Sequence, residues 1–472
     1  MNHLEILASD EVEAIHQATL RILNETGVVL NHPEGREILT ASGAKVNHDR
    51  VFLPPELVER TVAGCPDTVS IWGRDGKAVT LGDGSLHWHN LGGARDIFDQ
   101  RTGTRRSATI EDVQASTRLL DALPSITTIT PLFTPCDVPG ELMSLTMYRH
   151  ALPNTTKPLQ GPGVQTALEV QYAVRMAEVV GPVSEVLSLG ISPVSPLSFP
   201  DDVVEALIAA AQTGVTVAPL PCPTAGTTAP LSLAGSLAQQ NAEILASIVL
   251  TQLVKPGLPT VYAGRLAMME PRTAISVWGG VELGLASAAT VQIGHRYGLP
   301  VNVYGLSTNA HLPDIQNGYE RALNAVIPAL AGADELSGIG EAEAGVVSSF
   351  AQIVCDNEIA ASIQRVLRGF STDEKALAVE VIASVMDGSH NFVGEHHTVS
   401  FLRAGEILIS RLPERRSWQE WDQSGREGLV ERAQSEAERL LSTHEVPPLS
   451  IEQERELDEI IQAAGVQLAA HE

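Results

Sequence analysis

From residue 299 to residue 358 the chain runs through an apolar strand pattern, a polar loop and a long helix pattern rich in small residues, then begins the same cycle again. Strands that alternate with helices of this length must lie parallel, because a parallel neighbour is reached only by a crossover of a dozen residues or more. The same alternation extends upstream. Strand patterns fall at 126–130, 157–160, 186–192, 215–219, 260–263, 301–304, 335–339 and 390–393, with helix patterns at 164–180, 201–212, 233–254, 275–297, 316–330 and 349–368. Eight strands are the number for closure, so the α/β fold expected is a (β/α)8 TIM barrel, with a doubly wound open sheet as the alternative.

The rest of the chain divides around that core. Asp10 with Glu13 reads as a helix start, Val12, Ile15, Thr19 and Ile22 as its apolar face, and Gly27 as its end. A second short helix is expected over 53–66. Strands at 69–72, 78–81, 85–88 and 96–99 are separated by glycine turns, which reads as hairpin punctuation. Thr109 with Asp112 then opens a helix. The division expected is an N-terminal α+β extension over 1–108, a barrel over 109–410, and C-terminal helices over 411–472 that cap the barrel or join copies of the chain.

Composition excludes several functions. The chain has 472 residues, 31 Lys and Arg against 57 Asp and Glu, and a formal charge of −26, which opposes binding to nucleic acid or to an anionic membrane. Aromatics are only 4%, so aliphatic and alanine side chains fill the core. The opening residues lack a basic flank followed by an apolar run, and apolar windows such as 244–254 are too short to span a bilayer. A cytoplasmic protein is expected. Cys65, Cys136, Cys222 and Cys355 lack metal-ligand spacing and read as small packing residues.

Several blocks are more specific than fold class. PTAGTTAPLSLAGSLAQQNAEILASIVLTQLVKPGLPTVYAG over 223–264, LPDIQNGYERALNAVIPALAGADELSGIGE over 312–341, AQIVCDNE over 351–358, NFVGEHHT with RRSWQEWDQSG, and the stretch 96–126 resemble the trimethylamine:corrinoid methyltransferase family. The likeness covers nearly the whole chain. It implies a barrel enzyme of this methanogenesis-related family that moves a methyl group from a methylated amine to the Co(I) of a separate corrinoid-binding protein. Family members acting on trimethylamine carry pyrrolysine in a loop that corresponds here to GEAEAG, and Ala344 is the best alignment to that position. The branch without pyrrolysine implies glycine betaine or a related betaine, since a quaternary ammonium leaves as a neutral amine and needs no covalent adduct.

A pocket for such a substrate should cradle a cation. Trp88, Phe133, Tyr262 and Tyr304 at strand ends offer aromatic faces, though plain core packing is the commoner role for each. Glu341, and less so Glu343, offers a balancing carboxylate where barrels place their chemistry. The betaine carboxylate wants donors, for which His89 and Asn90 beside His87, Arg265 and His311 are candidates. His396 is a candidate substrate or partner contact. Asp314 reads as a helix cap, and Glu282 is either paired or at the barrel rim. His390, Glu395, His396 and His397 lack the spacing of a helical metal site, so no metal is expected. Three other functions stay open: demethylation of trimethylamine, a metal-dependent barrel hydrolase or aldolase, and a non-catalytic betaine-binding protein. A homo-oligomer is expected from the capping helices.

Overall fold

In the computed structural model, residues 3–161 and 163–469 are described. Among them, eight parallel strands close into a barrel, each followed by a helix. We number the strands β1 His87–Asn90, β2 126–130, β3 157–160, β4 Ser188–Ile191, β5 Thr216–Pro219, β6 Tyr262–Gly264, β7 Val301–Tyr304 and β8 Glu335–Ile339. The ring is continuous. Glu335 of β8 pairs with His87 of β1, His89 with Thr128, Ile129 with Leu159, Ser188 with Thr216, Val217 with Thr260, Tyr262 with Val301, and Asn302 with Glu335. The Gly161 N–H bonded to the Ser188 carbonyl at 2.9 Å joins β3 to β4. Closure removes the doubly wound alternative.

Two expectations fail here. Residues 390–393 form no strand but a turn outside the barrel, and the missing strand is HWHN at 87–90, read from sequence as part of a hairpin. Local patterning could not tell them apart, because a short half-polar strand takes its place only from the neighbours that pair with it. The first helix, Ser9–Arg21, also starts earlier than expected. The Ala8 N–H bonds the Glu11 carboxylate at 2.8 Å, in place of an Asp10 and Glu13 pair.

The crossover helices are α1 Ile110–Ala122, α2 Met143–Ala151, α3 Ala167–Glu178, α4 Asp201–Thr213, α5 Leu233–Val254, α6 Val281–Arg296, α7 Ile315–Leu330 and α8 Phe350–Arg368. Their starts follow capping rules. Thr109 donates its backbone N–H to Asp112 at 2.8 Å, while the Asp314 carboxylate accepts the Asn317 N–H and the Ser349 hydroxyl accepts the Gln352 N–H. Helix α5 is buried all round from Ser236 to Gln252, its polar side chains included, because it is covered on every side. Its outer surface packs under the N-terminal helices Ser9–Arg21, Pro33–Ala41 and Pro55–Val62. Helix α6 is shorter at its start than expected, since Ser276–Val277 pairs with Ala267–Met269 in a small sheet.

The two ends of the barrel differ. A hairpin, Val69–Trp72 with Ala78–Leu81, plugs the N-terminal end by setting Val69, Ile71 and Leu81 against Val261. At the C-terminal end, two small sheets wall the mouth. One joins Thr224–Ala225, Ala267–Met269 and Ser276–Val277, and the other joins Asp96–Asp99, Thr104–Ser107 and Val347–Ser348. After α8 come α9 Glu374–Leu377, α10 Val379–Asp387, α11 His396–Arg403, α12 Trp418–Gln423, α13 Leu429–Thr443 and α14 Ile451–Ala469. Helix α13 packs on α1 and α8, and α14 on α2 and α3, where the Arg149 guanidinium donates to Asp458 at 2.9 Å. No helix among the described residues is long and apolar enough to cross a membrane.

Candidate active site

The barrel interior is unusually polar. Glu335, at the start of β8, is buried and accepts hydrogen bonds from the Thr128 hydroxyl, the Asn302 amide and the Gln160 amide, the last at 3.2 Å to each oxygen. His89 lies 3.6 Å away. Burial alone would raise this carboxyl, but His89, Thr128 and Asn302 overcome it and hold it at about 2. It is a fixed negative charge inside the barrel.

One layer nearer the mouth, Arg265 follows β6. Its guanidinium donates to the Gly264 and Asn302 carbonyls at 3.0 and 3.2 Å, to the Ser337 hydroxyl at 3.0 Å and to the Asn302 side chain. It also sits 5.0 Å from the centre of the Tyr304 ring. The Trp278 ring meets Tyr304 edge-on, with centroids 5.4 Å apart, and is delivered by the small sheet that walls the mouth. Asn309 holds it there by accepting the Trp278 and Gly279 backbone N–H groups at 2.7 and 2.8 Å.

Glu341 stands two residues beyond β8, with no exposed surface. One carboxylate oxygen accepts the Ser307 hydroxyl, and the other, Oε2, is buried without a hydrogen-bond partner. Burial pushes this carboxyl up to about 7, against the pull of Ser307 and Arg321. The Tyr304 phenol is raised well above its ordinary value, by burial first and by the Glu341 charge next. Cys222, after β5, is exposed to solvent although desolvation raises its thiol to about 11. Its thiol lies within electrostatic reach of Arg265 and Tyr304.

The loops that carry Ser307 and Glu341 are set by a buried ion pair behind them. Arg321 of α7 and Asp356 of α8 are fully buried, 2.9 Å apart. Arg321 also donates to the Leu306 carbonyl, and Asp356 accepts the Gly340 N–H at 2.7 Å. Leu306, Glu343 and Ala344 hold left-handed backbone, with φ of 54°, 48° and 57°, so the ion pair and the loop hydrogen bonds impose a conformation these residues disfavour.

The residues proposed from sequence divide accordingly. Glu341, Tyr304, Arg265 and His89 come together along the barrel axis. Ala344 lies in the loop after β8, and its N–H bonds the Thr308 carbonyl at 2.8 Å. His311 is exposed and paired with Glu343, which also binds Arg105, so both belong to the rim. Trp88 and Tyr262 point outward from the barrel, since neighbouring strand positions face opposite sides. The Tyr262 hydroxyl donates to Asn241 of α5 at 2.9 Å. Asn90 is occupied in joining β1 to β2, giving its amide to the Thr130 carbonyl and taking the Thr130 N–H, both at 2.9 Å. His396 begins α11, beyond the barrel helices. Phe133 is buried core.

Glu335, Ser307, Trp278 and the Arg321–Asp356 pair were not anticipated. Glu335 had a usable signal: an acid inside a strand buried on both faces needs partners. So did the pair, since Asn317 with Arg321 and Gln352 with Asp356 are polar residues four apart on helices that must face a barrel. Trp278 had none, because a short mouth strand places it. Among the described residues no group of three or more His, Cys, Asp or Glu side chains is placed to hold a metal ion.

Comparison with known proteins bears on the family and the fold. The chain is 31% identical to trimethylamine methyltransferase MttB of Desulfitobacterium hafniense strain DSM 10664 / DCB-2, over 94% of this chain and 90% of that one. It is 27% identical to a glycine betaine methyltransferase of D. hafniense strain Y51, over 98% and 97%. In fold it resembles the hydroxylamine complex of MtmB, with a TM-score of 0.55 at 12% identity, covering 99% of this chain and 88% of that one. Its sequence also fits the family profile described as trimethylamine methyltransferase (MTTB) across residues 1–467, and the chain is a methyltransferase belonging to that family.

Proposed function

We propose that this chain takes a methyl group from a small quaternary amine, glycine betaine or a related betaine, and passes it to the Co(I) of a separate corrinoid protein. The observation that carries this reading is Glu341 Oε2, a buried carboxylate oxygen without a partner, beside the aromatic pair Tyr304 and Trp278. Once ionised, this buried carboxylate has only Ser307, the Tyr304 phenol and the charge of Arg321 to offset its burial, so a cation beside it is favoured, and aromatic faces attract a trimethylammonium group. Arg265 already occupies one side of Tyr304, so in this reading the cation meets the Trp278 ring and the Glu341 carboxylate.

These residues suit a methylammonium group, and in this reading the corrinoid is carried by the partner. When bound there, it supplies a low-valent cobalt nucleophile. This chain's contribution is positional: Glu341 holds the cationic nitrogen while the mouth walls fix which methyl faces outward. The C–N bond breaks with its electron pair returning to nitrogen, so a neutral tertiary amine leaves. Ala344, where relatives are expected to carry pyrrolysine, contributes only a methyl group, and the quaternary reading needs nothing more from it.

Trimethylamine is the second reading, and one observation favours it. A carboxyl held at about 7 can be protonated when substrate binds and can give its proton to a departing dimethylamine. The test is methyl transfer by the purified chain to a reduced corrinoid protein, with glycine betaine, other betaines and trimethylamine supplied separately. Transfer from a betaine, with none from trimethylamine, is expected. Transfer from trimethylamine alone would overturn the first reading, and betaine binding without transfer would leave a binding protein.

A further inference from the structure

Most of the large apolar side chains exposed among the described residues lie between Leu312 and Leu429. Two adjoining features carry many of them. The first is an excursion over 370–405, carrying α9, α10 and α11 and cinched at its base by one arginine. Arg365 donates to the Gly369 carbonyl at 2.8 Å and to the Glu406 carbonyl at 2.9 and 2.6 Å, so the chain leaves and returns at the same point. Within 370–405 only Val385 is buried. Val379, Ile382 and Met386 form one bare apolar stripe on α10, at spacings of three and four, with exposures of 71%, 47% and 59%.

The second feature is a groove of about 530 Å³ between α7, α8 and α13, lined by Leu323, Val326, Ile359, Val366, Leu429 and Val430. Val366 lies one helical turn before the arm begins, yet the arm does not fill the groove. An apolar helix stripe and an apolar groove are the two halves of a helix-in-groove contact.

We propose that the arm over 370–405 packs into the groove of a second copy of this chain, and that copy's arm into the first, in a two-fold exchange. A stretch of this length with a single buried residue cannot offset the entropy of ordering it, so the arm needs a constant cover. A methyl-accepting partner docks and leaves at each turnover, which would bare the arm every cycle, whereas a second copy covers it permanently. The chain's charge of −26 makes like copies repel, so attraction has to come from apolar area, and these surfaces supply it. In a two-fold pairing the arm and groove of each copy are both satisfied at once.

Sedimentation velocity of the full chain at micromolar concentration should give at least twice the chain mass. I382E with M386E on the arm, and separately L323E on the groove, should each halve that mass while leaving the circular dichroism spectrum unchanged. Hydrogen exchange of the wild type supplies a reading independent of any variant: amides of 379–387 should be protected, and more so at higher protein concentration. A wild-type chain that sediments as a single copy overturns the proposal, including one whose arm then binds the corrinoid protein. So does an oligomer that survives both variants, or fast exchange over 379–387.

Discussion

Two glutamates on one barrel strand and its loop titrate in opposite directions, and the difference is readable in stability. The Glu335 carboxyl is held at about 2, below its ordinary 4.5, so its contribution is present above pH 4.5 and disappears as pH falls towards 2. E335Q should therefore lose about 2 kcal/mol at pH 7, by the worth of hydrogen bonds to a charged group, with the deficit shrinking in acid. Glu341 is the reverse. Its carboxyl is raised from 4.5 to about 7, so the folded state keeps a proton that the unfolded state has lost, and stability falls as pH rises through that window. E341Q should melt above wild type at pH 8 and level with it at pH 5, by calorimetry. The same variant should bind betaine at least about tenfold more weakly at pH 8, a loss of ~1.4 kcal/mol by titration calorimetry. A substitution that stabilises the fold while weakening binding marks a residue kept for function. If E341Q bound betaine as wild type does, Glu341 would not be the cation's partner.

At the level of elements, the helix pair α7 and α8 holds the mouth through one ion pair. R321M leaves the Asp356 charge buried alone and should cost about 3–5 kcal/mol in urea unfolding, while R321M with D356L should recover most of that. Recovery of stability should not restore betaine affinity, because the Leu306 carbonyl and the Gly340 N–H would still lack the groups that set their loops. Strand β8 has its own constraint. At Gly338, with φ of +123°, a Cβ would stand 1.9 Å from the Gly305 carbonyl oxygen of the loop after β7. G338A should lower stability by about 4 kcal/mol or prevent folding, measured by denaturant titration. Most elements were legible in sequence for a reason visible at this scale. The strands at 301–304 and 335–339 and the helix at 233–254 carry their own patterning, and their bounds are those expected. HWHN at 87–90 does not. Its role as the first barrel strand comes from β8 and β2 on either side, and no local pattern announces a neighbour some 250 residues away.

For the whole molecule, the excess of acid sets a background against which local interactions work. Self-repulsion among surface carboxylates should make the melting temperature rise as salt is raised from about 0.01 to about 0.15 M, where the screening length falls from about 30 to about 8 Å. A scan of melting temperature against ionic strength that stayed flat would show the charges to be locally balanced. The sequence by itself determined the alternation of strand and helix and the family, and it offered Glu341 and Tyr304 as candidates, which the structure brings close to each other. All of these depend on residue type at fixed spacing. Only the tertiary structure decided which side chains meet. Arg265 is spent on Asn302 and Ser337, Tyr262 faces α5, Trp278 arrives on a short mouth strand, and Arg321 and Asp356 pair behind the loops. The reason is geometric: alternation along a strand fixes two opposite faces, but which face turns inward, and what it finds there, follows only from the closure of the ring.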